Sequence, residues 1–84
     1  MTPARSNNKL TRKVQPMPAF VRDALKARGL ASKYRERPPY QRNDYLTWIS
    51  SAKVQSTKQR RLNQMLDELE RGDIYMKMAW KRAR

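Results

Sequence analysis

Seven carboxylates and twenty Lys and Arg side chains carry nearly all the chemistry this 84-residue chain has to offer. There is no His, hence no imidazole general base or metal ligand, and no Cys, hence no thiol nucleophile, thiolate site or disulfide. Asp67, Glu68 and Glu70 cluster in the sequence, but these positions do not converge on one helix face as a catalytic acid pair, and Asp67 is spaced to pair with Arg71 one turn on. Gly29 and Gly72 are the only glycines, too few for a phosphate-cradling loop. The expectation is a protein with no catalytic residues, no cofactor and no metal.

The basic residues are more informative. Lys58, Arg60 and Arg61 precede Asp67, Glu68 and Glu70 on one helical stretch. The helix dipole favours the reverse order, by about 0.3–1 kcal/mol per exposed charge. A local rule broken in this way points to a tertiary or external partner. One reading pairs these charges with neighbouring helices. The other makes Lys53, Thr57, Lys58, Arg60 and Arg61 a binding surface for an anion, helped by the free amides of the first helical turn.

A net charge of +13 fits a polyanionic or acidic partner. Two helices, a short connection and a helix opening on Ser56, Thr57, Lys58, Gln59, Arg60 and Arg61 imitate a helix-turn-helix. The turn contains no glycine, and the pattern supports non-specific phosphate contacts rather than base reading. Residues 74–84 interleave Ile74, Tyr75, Met76, Met78 and Trp80 with Lys77, Lys81, Arg82 and Arg84. That composition suits an anionic lipid surface, or else Tyr75 and Trp80 cover a small core that needs every large side chain. No apolar run reaches the length of a membrane span, and no apolar stretch follows the basic N-terminus as in a secretory signal, so a cytoplasmic location is the default.

These residues must be held by few elements. Residues 1–17 contain four bases, no acid and two sizeable aliphatics, and read as a disordered basic tail. After Pro18, the positions of Phe20, Val21, Ala24 and Leu25 form a helical stripe that stops at Gly29, with Leu30 folding back on Leu25. A short helical turn over residues 32–37, with Tyr34 inward, leads to the Pro38-Pro39 break. A second main helix then buries Tyr45, Leu46, Trp48, Ile49 and Ala52. Ser56 and Gln59 have capping-box spacing and open the third, whose Leu62, Met65, Leu66 and Leu69 face inward until Gly72. Residues 74–80 alternate as a short strand would, or form an irregular arm over the helices. The expected fold is all-α: three main helices and a short helical turn over residues 18–80, with basic ends at 1–17 and 81–84.

Two runs carry a family resemblance. Tyr45-Leu46-Thr47-Trp48-Ile49-Ser50-Ser51-Ala52-Lys53, followed by Thr57-Lys58-Gln59-Arg60-Arg61-Leu62, resembles the signature of the bacteriocin-protection family, also called YdeI/OmpD-associated. The family pattern is an aromatic-Leu-x-Trp-Ile, an Ala-Lys and a Thr-Arg-x-Arg-Arg-aliphatic at this spacing. Lys58 stands where the family usually has Arg, and Ser56 where it often has Glu. The resemblance extends over residues 18–80 and is most specific from Arg37 to Leu69.

It implies a helical bacterial domain, often C-terminal to a second domain, linked to protection against bacteriocins and cationic antimicrobial peptides and to outer-membrane porins. It brings no catalytic residues, and it makes Trp48, Ile49 and Ala52 structural. A chain of +13 cannot sequester cationic peptides by attraction. The expected function is therefore that of a non-enzymatic adaptor engaging an acidic protein through Lys53, Thr57, Lys58, Arg60 and Arg61. The alternative is a nucleic-acid binder using the tail and the same helix start.

Overall fold

Two prolines at Pro38 and Pro39 set the main break in the chain. Arg37 before them is held extended (φ −71°, ψ 148°), because a residue preceding proline avoids the helical region. Pro39 then takes the first position of the next helix, where its missing N–H costs nothing. The computed structural model describes residues 15–81. Within them run α1 (Ala19–Ala27), α2 (Ala31–Glu36), α3 (Pro39–Ser51), α4 (Gln55–Arg71) and the strands β1 (Ile74–Tyr75) and β2 (Met78–Ala79).

α1 ends in a Schellman motif. Gly29 takes φ 68°, its N–H donates to the Lys26 carbonyl at 3.1 Å, and the Leu30 N–H donates to the Leu25 carbonyl at 2.8 Å. Leu30 and Leu25 are both buried. Phe20, expected in the α1 stripe, lies at its edge and is exposed. One core joins Val21, Leu25, Leu30 and Tyr34 to Tyr45, Leu46 and Ile49 of α3 and to Leu62, Met65, Leu66 and Leu69 of α4. Trp48 is half-buried at its margin.

The all-α expectation is corrected by the chain after Gly72. β1 and β2 pair antiparallel, Ile74 opposite Ala79 and Tyr75 opposite Met78, giving a mostly helical protein with a two-stranded sheet. Tyr75 and Met76 pack against the core. The loop is Met76-Lys77, with φ 51° and 66°. Two consecutive positive φ values mark a type I′ turn, whose twist matches a hairpin. Neither residue is the Gly or Asn that such a turn favours, so each costs about 1–2 kcal/mol of backbone strain.

The capping box is also corrected. α4 starts at Gln55 with an extended Val54 as N-cap, and no side chain caps it. The Val54 carbonyl accepts the N–H groups of Thr57 and Lys58, each at 3.0 Å, so the chain turns before Ser56 is reached. The expected basic tail falls mostly on residues 1–14, outside the described residues. Of its remainder, Met17 packs against the core and the Gln15 N–H donates to Asn43 Oδ1 at 2.6 Å.

Candidate interaction surface

The reversed charge order of α4 has a tertiary explanation at its C-terminal end. Arg28 is the C-cap of α1, and its Nη2 lies 3.0 Å from Glu70 Oε1 and 3.4 Å from Asp67 Oδ1. The last carbonyls of a helix lack internal partners. At the end of α4 cations come from elsewhere: Arg37 Nη2 donates at 2.9 Å to the Glu68 carbonyl, which also accepts the Gly72 N–H, and Lys33 Nζ donates to the Glu70 carbonyl at 3.4 Å. Positive charge thus reaches this helix end from α1, α2 and the α2–α3 link. Asp67 meets Arg28, and Arg71 lies 3.7 Å from Asp73, in place of the expected Asp67–Arg71 pair.

Glu68 turns inward and is 5% exposed. A buried carboxylate needs donors, and it has four: Tyr45 Oη at 2.5 Å, Gln64 Nε2 at 3.0 Å, and the main-chain N–H groups of Met76 and Lys77, both at 2.8 Å. Burial, and then the hydrogen bond to Glu68, hold the Tyr45 phenol well above its ordinary pKa. Burial also raises that of Tyr34, opposed by the Arg42 charge. Arg37, likewise buried, donates from Nη1 to Gln41 Oε1 at 3.0 Å and lies 4.6 Å from the Trp80 ring centroid. Sequence reading gave no sign of the Tyr45–Glu68 or Arg37–Trp80 contacts, because their partners are 23 and 43 positions apart.

The five expected surface residues separate. Arg61 folds back on the end of α3. Its Nη1 donates to the Trp48 carbonyl at 2.7 Å and approaches Ser51 Oγ at 3.3 Å, with the guanidinium 5.3 Å from the Trp48 ring centroid. It is a cap for α3. Lys53 is exposed in the α3–α4 connection, and Thr57 and Lys58 are half-buried in the first turns of α4. Arg60 is exposed. Lys53, Lys58 and Arg60 meet no carboxylate among the described residues.

Arg60 and Arg61 also line an open groove of about 770 Å³ between α4, the end of α3 and the hairpin, together with Trp48, Arg71, Ile74 and Lys77. Lys53, Thr57 and Lys58 lie outside it. Arg60, Gln64, Asp67 and Arg71 share the groove through their three- and four-residue spacing on α4, a signal that was present in the sequence. The part played by Ile74 and Lys77 depends on the hairpin and was not.

Among the described residues, no cluster of acids is placed to hold a metal ion, and no helix is long and apolar enough to cross a membrane. Neither the curated proteins nor the solved structures gave a match to this chain. A protein-family model did, over residues 16–72, from the segment before α1 to the glycine that ends α4. With more than half of its length matched, and with the Trp48–Arg61 junction inside that span, the chain belongs to the bacteriocin-protection, YdeI or OmpD-associated family.

Proposed function

We propose that the chain is a non-enzymatic interaction module that engages an acidic protein through the basic surface at the start of α4. The supporting observation is an imbalance of partners. Every acidic side chain among the described residues already has one: Asp23, Asp67, Glu70 and Asp73 face arginines, Asp44 accepts from Tyr75, Glu68 is enclosed, and Glu36 also has a partner. Lys53, Lys58 and Arg60 have none among those residues. An acidic partner supplies the missing carboxylates, and charge complementarity of this kind sets encounter rate and specificity.

The test is a titration of labelled polyglutamate and labelled duplex DNA with the full chain over a salt series. Polyglutamate should remain bound at about 0.15 M salt and lose about tenfold in affinity on Lys58→Glu with Arg60→Glu. Binding to DNA should fall log-linearly with salt. DNA binding that persists at that ionic strength while polyglutamate is released would replace this reading with a nucleic-acid one.

A further inference from the structure

We propose that the groove between α4 and the hairpin docks a short acidic peptide carrying one apolar side chain. This inference rests on the acidic-partner reading and names the partner's chemistry at a site beyond the α4 start. The groove has a charged rim and an apolar floor. Arg60, Arg71 and Lys77 stand on the rim, and half-buried Trp48 and Ile74 form the floor. Its two carboxylates are already engaged, Asp67 by Arg28 and Glu68 by four donors. The open charge is therefore positive, and among the described residues only Arg71 of its cations has an acidic neighbour, a largely exposed Asp73 at 3.7 Å.

Lys77 is the informative member. It sits in a left-handed backbone conformation at φ 66°, and the buried Glu68 carboxylate accepts its N–H. Strain of this kind persists only where surrounding contacts impose it, and it collects at functional positions. Here it places a lysine in the lining of the groove that Arg60 and Arg71 also line. Gln64 keeps its amide oxygen, and Asn63 its amide protons, for a peptide main chain, since among the described residues Gln64 donates only to Glu68 and Asn63 only accepts from Gln59. Amides and an apolar floor fit a peptide better than a phosphate backbone, which has no apolar side chain to set against Trp48 and Ile74.

The experiment titrates the full chain into a labelled peptide of Asp and Glu flanking one Leu, at about 0.15 M salt. Arg71→Glu with Lys77→Glu should weaken binding about tenfold. Lys26→Glu with Arg35→Glu, the same change in net charge away from the groove, should weaken it less than about twofold. A peptide with Ser in place of Leu should bind more weakly. Equal losses from the two reversals overturn the proposal in favour of bulk attraction.

Loss on Lys53→Glu with Lys58→Glu alone overturns the groove and leaves the acidic-partner reading standing. So does a peptide that fails to bind while polyglutamate binds, whereas failure of both removes the two together. Duplex DNA that displaces the peptide and shares its dependence on Arg71 and Lys77 reassigns the groove to phosphate. Should the double reversal not fold, Trp48 emission in a Trp80→Phe background reads the same site. Peptide binding without a change in that emission overturns the proposal.

Discussion

The Tyr45 hydroxyl donates to the Glu68 carboxylate across 2.5 Å, with Tyr45 fully buried. This contact joins α3 to α4, and the same carboxylate accepts the two N–H groups of the hairpin loop. One side chain thus ties the helical core to the sheet. The Tyr75 ring stands edge-on to that of Tyr45 at 5.5 Å, and its hydroxyl donates to Asp44 at 2.6 Å, so the hairpin is held from both sides.

The phenol proton of Tyr45 should make stability fall in alkali. Burial and the Glu68 contact raise its pKa in the folded state, while the unfolded tyrosine titrates near 10. The contribution is complete below pH 10 and declines above it, as the unfolded chain releases a proton that the folded one retains. Tyr34 acts in the same direction. Tyr45→Phe should cost about 1–3 kcal/mol at neutral pH by leaving Glu68 short of a donor, yet its stability should vary less between pH 9 and 11. Urea unfolding of both proteins across that range decides it, and parallel curves reject the assignment.

The hairpin loop should improve when its backbone is relieved. Lys77→Gly removes a side chain from a left-handed position (φ 66°) while keeping the N–H that Glu68 accepts. Stability should rise by about 1 kcal/mol. Affinity for the acidic peptide should fall in the same variant, because the rim loses its ammonium group. A stability measured by urea unfolding that drops instead would mean the turn is unstrained.

Those same two residues show where the sequence stops being legible. The α4 stripe of Leu62, Met65, Leu66 and Leu69 could be read directly, since its period belongs to one helix. The α1 ending could be read because Gly29 serves a local geometric need. The hairpin could be read only in part: the alternation over residues 74–80 allowed one short strand, but Met76-Lys77 carries no turn signal to fold the segment into two strands of two residues. What fixes it is a carboxylate eight or nine positions upstream. The candidate surface divided for the same reason. Arg61 looks like Arg60 in sequence, but only the packing of α4 on α3 puts it against the Trp48 carbonyl.

Gly29 offers a separate test of local backbone. A Cβ placed there meets nothing within 4 Å, so any cost comes from its φ of 68° alone. Gly29→Ala should destabilise the protein by about 1 kcal/mol, and Gly29→Asn by less, because Asn tolerates the left-handed region better. The order Gly, Asn, Ala in urea midpoints is expected, and an Ala variant equal to the parent would remove the Schellman ending as a source of stability.

Arg60 and Arg61 should respond oppositely to truncation. Arg61 caps α3 through the Trp48 carbonyl at 2.7 Å and lies against the indole, and its planar guanidinium makes the two contacts together. Arg61→Ala should therefore cost about 1–2 kcal/mol of stability, and Arg61→Lys should recover little of it. Arg60 is exposed and meets no carboxylate among the described residues, so Arg60→Ala should leave stability within about 0.5 kcal/mol. Binding of acidic ligands should show the converse, with Arg60→Ala the larger loss. Urea unfolding and polyglutamate titration on the two variants separate the cap from the contact. If Arg61→Ala leaves stability intact and abolishes binding, the guanidinium belongs to the partner rather than to α3.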